Sequence, residues 1–145
     1  QFVKEGVVVL EKYGDGRDQK FDAISGGLAT DIPLVVLVNE GTASASEIVS
    51  GAIQDYGRGL IVGEPTFGKG TVQNLIDLDR WPTKAGPKFG QVKLTIAQFF
   101  RVDGDTTQHA GVVPEIQFPV TVDATEFADR RPAQRRRSGR PRANA

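Results

Sequence analysis

One strand–helix–strand pattern constrains the fold of this chain most. Residues 33–39 (PLVVLVN) form a nearly continuous apolar run, typical of a strand buried on both faces. Residues 42–56 follow as a helix that Gly57 ends, and residues 60–63 (LIVG) form a second apolar run. The predicted helix carries apolar side chains at helical spacing: Ala45, Ile48, Val49, Ala52 and Ile53. This order predicts a βαβ unit with two parallel strands, and therefore an α/β fold.

Further strands are predicted around this unit. The β-branched run within residues 6–12 indicates a strand, and the glycine-rich segment 13–18 indicates a turn. Residues 71–78 alternate loosely between apolar and polar side chains, and residues 91–101 form the longest strand candidate. Between them, the prolines and glycines of residues 81–90 predict a loop.

Composition limits the size of the domain and the kinds of site. With 145 residues, 39% of them apolar, the chain can form one modest domain, and no run is long enough to cross a membrane. The absence of cysteine excludes disulfides and thiol chemistry, and no cluster of histidine and carboxylate residues predicts a metal or a cofactor. Because the chain begins with Gln1 and contains no methionine, we expect it to be a fragment whose native N-terminal part is missing.

The formal net charge of zero hides an uneven distribution. Residues 130–145 contain seven arginines and no acid, so the preceding residues sum to about −7. The Arg- and Pro-rich segment 129–145 is predicted to be disordered, as a solvated linker or as a cloning or reading-frame scar. It lacks interleaved aromatic residues, so we do not expect it to bind nucleic acid. The domain proper is predicted to span residues 1–128.

The glycine-rich segment around Lys69 has two interpretations. Residues 63–69 (GEPTFGK) match the G-x-x-x-x-G-K part of a phosphate-binding loop, which would indicate a nucleotide-binding domain. Against it, Gly70 stands where a magnesium-binding hydroxyl is needed, and the following residues favour a strand over a helix. Glu64 would also repel a phosphate, and Pro65 lacks a backbone donor.

The second interpretation is catalytic. If the chain is extended after Gly68, then Lys69, Thr71 and Gln73 share one face, and Gln73 can accept a hydrogen bond from the lysine amine. Gly68 and Gly70 would let other backbone approach closely. Burial favours the neutral amine, which can act as a general base. The alternative is an ordinary solvated loop lysine.

A nucleophile for this base is available at the predicted helix start. There the backbone N–H of Ala45 could stabilise an oxyanion, and the helix dipole would favour the developing negative charge. A hydroxyl at the same place could equally be a helix cap. Spacing alone does not choose among the hydroxyl residues, which are Thr42, Ser44, Ser46 and Ser50.

His109 is the only histidine of the chain, so a Ser-His-Asp triad would need it as the base. It lies in a predicted loop of residues 106–111, and we do not expect a catalytic role for it.

Several motifs together resemble the carboxyl-terminal processing proteases, peptidases of the S41 type with a Ser-Lys dyad, and in particular their tail-specific protease branch. These motifs are NEGTASASEI (39–48), QDYGR (54–58), VGEPTFGKGTVQ (62–73), QVKLTIAQFFRVDG (91–104) and GVVPEI (111–116). The resemblance covers most of the chain up to about residue 127. It implies a crotonase/ClpP-like catalytic core, present here as a partial domain.

The resemblance also implies a role for individual residues. The nucleophile corresponds to Ser44, although Thr42 replaces the first serine of the family's S-A-S-A-S-like run. The base corresponds to Lys69 and the residue that orients it to Gln73. Asp55 corresponds to an aspartate at the helix end, which we expect to be structural, because a carboxylate beside the base would keep it charged.

These expectations together predict a serine endopeptidase that binds its polypeptide substrate as an added strand. The resemblance implies that substrates are selected by a nonpolar C-terminus. The resemblance implies a periplasmic location in a bacterium. The family's PDZ module and an upstream glycine-rich segment, which would supply a second oxyanion donor, are absent here. We therefore expect residues 1–145 alone to have little activity and to self-associate. The alternatives are a non-catalytic peptide-binding fragment and a nucleotide-binding domain.

Overall fold

A computed structural model describes residues 1–80 and 89–119 of the chain. Within them the chain forms seven strands, one α-helix and a short 3-10 helix at Leu78–Arg80. In chain order the strands and the helix are β1 (Val7–Tyr13), β2 (Asp18–Asp22), β3 (Val35–Val38), α1 (Ala45–Asp55), β4 (Leu60–Gly63), β5 (Thr71–Asp77), β6 (Gln91–Phe100) and β7 (Ile116–Gln117).

The strands form two sheets. One is antiparallel with the order β2-β1-β6-β5, and the other is parallel with the order β3-β4-β7. Strands β3 and β4 pair in parallel with Val38 beside Gly63, and α1 connects them. The predicted βαβ unit is therefore confirmed, within a mixed fold of sheets and one helix.

Strand β3 of the parallel sheet buries one of its two faces. Val38 and Ile61 pack with Ile53 of α1, and the partly buried Leu34 and Val36 pack against this cluster. On the opposite face the side chains of Val35 and Leu37 are 59% and 71% exposed. The prediction that residues 33–39 are buried on both faces is therefore wrong for the described part of the chain, where β3 is an edge strand covered by α1 on one side only.

Helix α1 begins at Ala45, three residues later than predicted. The residues before it form a hydrogen-bonded loop, in which Asn39 Oδ1 accepts the Gly41 N–H at 3.0 Å and Asn39 O accepts the Thr42 N–H at 2.9 Å. These local bonds compete with helix formation. The buried side of the helix also differs from the prediction, since Val49 is 46% exposed and the buried set is Glu47, Ser50, Gly51, Ala52 and Ile53.

The remaining predictions have mixed outcomes. The turn after β1 is confirmed and closes a hairpin, but strand β2 within it was not predicted, because all five of its residues are exposed and mostly polar. Most of the predicted loop 81–90 and the whole predicted tail 129–145 lie outside the described residues. Among the residues that are described, no helix has the length and hydropathy needed to cross a membrane.

Candidate active site

Ser44 and Lys69 lie beyond the carboxyl ends of two neighbouring parallel strands. Val38 and Gly63 pair at the ends of β3 and β4, and each candidate residue follows its strand end by six residues. In open α/β sheets, sites form at this edge. The two loops are joined directly, because the Phe67 N–H donates to Thr42 O at 2.9 Å. The fold thus brings the two candidate segments to one edge of the sheet.

Ser44 has an unusual backbone conformation. It is the N-cap residue of α1, with φ 57° and ψ −115°. A positive φ is uncommon for a residue with a side chain, and such strain concentrates at functional sites. The serine nucleophile of α/β-hydrolases is presented by the same kind of sharp strand-to-helix turn. Ser44 is half-buried, whereas its neighbours Ala45 and Ser46 are exposed.

A buried carboxylate connects the two loops. Glu47 is fully buried, and its Oε2 accepts the Ser44 N–H at 2.7 Å and the Lys69 N–H at 2.9 Å. Its Oε1 accepts the Thr66 hydroxyl at 2.6 Å and the Gly68 N–H at 2.7 Å. The sequence analysis missed this residue. The signal that could have found it is the S-x-x-E pattern of a capping box, with Ser44 at the N-cap and Glu47 three residues on.

Residues 106–112 hold the lysine loop from its other side. The Gly68 carbonyl accepts the His109 N–H at 2.9 Å, and the Gly70 N–H donates to Gln108 Oε1 at 2.8 Å. A Cβ at Gly68 would lie 2.9 Å from a backbone atom of His109, and one at Gly70 would lie 2.8 Å from the Gln108 nitrogen. The predicted close approach of backbone at these glycines is therefore confirmed.

Gln73 makes no hydrogen bond to Lys69 within the described residues. It lies on β5, and its Nε2 donates to Thr95 Oγ1 of β6 at 3.2 Å. Lys69 is half-buried, and across residues 1–80 and 89–119 its Nζ makes no ion pair and no hydrogen bond, including none to Ser44. No carboxylate among these residues therefore forms an ion pair with the Lys69 amine.

Neither the Asp55 nor the His109 side chain bonds to Ser44 or Lys69 in the described residues. The Asp55 carboxylate binds the Arg101 guanidinium at the end of β6, as expected for a structural residue. The His109 ring is exposed, and its Nε2 lies 3.4 Å from Gln108 Nε2. The residue contacts the lysine loop through its backbone, whose φ is 69°.

Two carboxylates add negative charge at the same sheet edge. Glu40 follows β3 closely and Glu64 follows β4 directly. The hydrogen bond between the two side chains raises the pKa of Glu64 above its usual value, and desolvation and the charge of Glu40 act in the same direction. Glu64 therefore takes up a proton at a higher pH than an ordinary glutamate.

The structure does not favour a phosphate-binding loop. The chain leaves Lys69 and enters β5 at Thr71, where such a loop would need a helix N-terminus facing the phosphate. The extended conformation predicted after Gly68 is confirmed from Thr71 onward, where β5 begins, with an irregularity in its pairing between Val72 and Gln73.

Comparison with known proteins agrees with the motifs. The model of peptidase family S41 matches residues 1–118. The tail-specific protease of Haemophilus influenzae is 45% identical over 102 residues, which cover 66% of this chain and 14% of that protein. The carboxy-terminal-processing protease of Bartonella bacilliformis is 40% identical over 116 residues, which cover 79% of this chain and 25% of that protein.

A solved structure shows the same relationship. The photosystem II D1 C-terminal processing protease superposes with a TM-score of 0.69 at 38% identity, over 81% of this chain and 28% of that one. The chain thus spans about a quarter or less of the length of these relatives. With its strained serine and its lysine loop at one sheet edge, and with sequence motifs that run through both, the chain belongs to peptidase family S41.

Proposed function

We propose that this chain carries the nucleophile and the base of a serine endopeptidase, Ser44 and Lys69. The observation that carries the proposal is the backbone of Ser44, held at φ 57° on the turn into α1. Strain of this kind at a serine has a ready explanation in nucleophile presentation. Membership of family S41 and the lysine loop at the same sheet edge support it.

The proposed reaction has two halves. Lys69 Nζ takes the proton of Ser44 Oγ while Oγ attacks the scissile carbonyl, and then gives that proton to the leaving amine. Lys69 next takes a proton from water, the hydroxide attacks the acyl-enzyme, and the proton returns to Ser44 Oγ as the ester bond breaks. An amine without a bound carboxylate is suited to this cycle, since an ion pair would hold it protonated.

The Ala45 N–H is the oxyanion donor that this loop can offer. The Ser44 N–H is already used by Glu47 Oε2. Ala45 is the first residue of α1, and the first N–H groups of a helix have no partner within it. In the proposal Gln73 orients Lys69 through its side-chain oxygen, since its amide nitrogen is used by Thr95.

The finer features of the function are proposals from the same family. We propose a crotonase-like arrangement of the βαβ core, polypeptide substrates selected by a nonpolar C-terminus, and a periplasmic location. Strand β5 lies at the edge of the antiparallel sheet and follows Lys69 closely, so a substrate can pair with it as an added strand. The names of the relatives, which describe tail-specific and carboxyl-terminal processing, support this choice of substrate end.

The test uses the full-length protein, with Ser44→Ala, Lys69→Ala and the control Ser46→Ala. Ser46 lies two residues from Ser44 and is exposed, so it is a matched hydroxyl. We expect each of the first two changes to lower kcat/KM by at least about 10⁴-fold, and the double variant to lose no more than either single one. Lys69→Arg should also be inactive, because its guanidinium stays charged.

The substrates are an unfolded protein ending in nonpolar residues and the same protein ending in two aspartates. A fluorophosphonate probe should label the unchanged enzyme and fail on Ser44→Ala. Cleavage that survives in Ser44→Ala and is lost in Ser46→Ala would contradict the assignment. Equal cleavage of both substrates would contradict the proposed selection by the C-terminus and would leave the assignment of Ser44 and Lys69 unaffected.

A further inference from the structure

The Glu47 carboxylate is held entirely by neutral donors. The side chain is fully buried, and its hydrogen-bond partners are three backbone N–H groups and one hydroxyl. A carboxylate buried in an apolar interior without hydrogen-bond donors is strongly unfavourable, so these bonds are needed to keep it there. Two donors on each oxygen use the full acceptor capacity of the group.

Two of these donors belong to the proposed nucleophile and base. Glu47 Oε2 accepts the N–H of Ser44 at 2.7 Å and that of Lys69 at 2.9 Å. The two residues are 25 positions apart in the chain, and one oxygen atom joins their backbones. The other oxygen fixes the approach to Lys69, through the N–H of Gly68 and the hydroxyl of Thr66.

We infer that Glu47 is a positioning residue, whose carboxylate sets the backbone of Ser44 against the backbone of Lys69 in the reactive arrangement. The inference rests on the proposed function of that pair. Glu47 acts through the two residues and does not itself touch the substrate. It also fixes the strained turn, because its bond to the Ser44 N–H is made at the residue with φ 57°.

Glutamine is the informative replacement at this position. It has the shape of glutamate but only one acceptor oxygen, and its amide nitrogen donates. In either orientation the amide nitrogen faces at least one backbone N–H, which then loses its acceptor. If the nitrogen faces Ser44 and Lys69, both of their bonds are lost and their link is broken directly. If it faces Thr66 and Gly68, the bond to the Gly68 N–H is lost, while the Thr66 hydroxyl can accept from the amide instead of donating.

A second variant tests the same link more gently. Thr66→Val removes one of the four donors and leaves both bonds of Oε2, but it also removes the acceptor of the buried Val112 N–H. Thr66→Ser keeps the hydroxyl and both of its bonds. The matched control is Ser50→Ala. Ser50 is equally buried on the same helix, but its hydroxyl bonds to the carbonyl of Ser46 within that helix.

The experiment measures kcat, KM and the rate of fluorophosphonate labelling of Ser44 in the full-length protein. Misplacing a reacting group by about 1 Å can cost about 10²-fold, so we expect a loss of that order in kcat and in labelling rate for Glu47→Gln, with little change in KM. Thr66→Val should lose less, and Thr66→Ser and Ser50→Ala should stay close to the unchanged enzyme. Circular dichroism checks that each variant is folded.

A double variant separates positioning from a general loss of structure. If Glu47 acts by aligning the base, then Lys69→Ala in the Glu47→Gln background should slow labelling no further than the stronger single change does. Additive losses would overturn the inference, as would a folded Glu47→Gln enzyme with unchanged kcat. If Glu47→Gln does not fold, Glu47→Asp decides, because its shorter side chain keeps the carboxylate but withdraws it from the N–H groups of Ser44 and Lys69. Unchanged kcat in that folded variant overturns the inference as well. Failure of the proposed function appears differently, as cleavage that persists in Ser44→Ala.

Discussion

Replacing Arg101 by alanine should destabilise the chain by about 3 kcal/mol, because it leaves the Asp55 carboxylate without its cation. Arg101 Nε donates to both oxygens of Asp55 at 3.1 and 3.2 Å, and its Nη2 donates to Gln54 Oε1 at 2.9 Å and to Asp55. These bonds tie the last turn of α1 to the end of β6. The pair therefore fastens the helix that bears Ser44 to the antiparallel sheet.

The magnitude follows from the burial of the pair. The Arg101 and Asp55 side chains are 18% and 10% exposed. Removing one partner of a buried pair costs about 3–5 kcal/mol, and because both groups keep some contact with water, the lower end of that range applies. Burial acts to lower the pKa of Arg101, but the hydrogen bond and charge of Asp55 outweigh it and raise the pKa above its usual value. Arg101 therefore stays charged across the range in which the protein can be studied.

The assay is urea unfolding followed by circular dichroism, with the slope of the transition as a check on two-state behaviour. The matched control is Arg17→Ala, because Arg17 also pairs with an aspartate, Asp15, but the two side chains are 72% and 55% exposed. Solvent screens an exposed pair, so its loss should change the urea midpoint little. Removing both charges of the buried pair, as in Asp55→Leu with Arg101→Met, should recover much of the loss. A cost below about 1 kcal/mol for Arg101→Ala, or an equal cost for Arg17→Ala, would refute the reasoning.

Three further predictions concern acid stability, one glycine and self-association. Burial acts to raise the pKa of Glu115, but hydrogen bonds from Gln54 and from backbone N–H groups outweigh it, so its pKa is lowered on folding. Glu115 therefore stabilises the folded state above its unfolded pKa, and this stabilisation is lost as the pH falls through its folded pKa. Glu115→Gln should remove this dependence and flatten the acid side of a plot of urea midpoint against pH. Gly63→Ala should lower the free energy of unfolding by more than about 2 kcal/mol in the same urea assay, because a Cβ at φ 133° would lie 2.0 Å from the Val38 carbonyl oxygen. The control is Gly14→Ala, whose Cβ would meet nothing within 4 Å and which should change it by no more than about 0.5 kcal/mol. Light scattering should show residues 1–145 associating through the uncovered face of β3, and Leu37→Lys should shift them towards monomer; a monodisperse monomer without that change would contradict this.

The backbone of the βαβ unit could be predicted from sequence because its signals are local. The runs at residues 33–39 and 60–63 are apolar and short, and the helix between them has a clear stop at Gly57. Strand β2 could not be predicted in this way. Its residues are exposed, and it is held by backbone hydrogen bonds to β1. Such pairing leaves no apolar pattern in the residues of β2 itself, so its own sequence does not indicate a strand.

The candidate site also contains residues that the sequence could predict and one that it could not. Ser44 and Lys69 could be chosen from sequence because the motifs of a known family run through both. Glu47 could not be assigned its place from composition, because a glutamate near the start of a helix is usually solvated or capping. Its burial results from the convergence of the loop after β4 on the helix, which is a tertiary contact.

The double attachment of the lysine loop also limits how this region can change. The loop is held by Glu47 on one side and by residues 106–112 on the other, with Thr66 bonded to both Glu47 and Val112. A residue inserted in this loop would move its N–H groups away from both Glu47 and Gln108. The loop therefore cannot change length without a matching change in residues 106–112. For protein engineers, the segments 64–70 and 106–112 are therefore one transplantable part. We expect a chimera that exchanges both segments with those of a relative to keep Lys69 in place, and a chimera that exchanges only one of them to displace it.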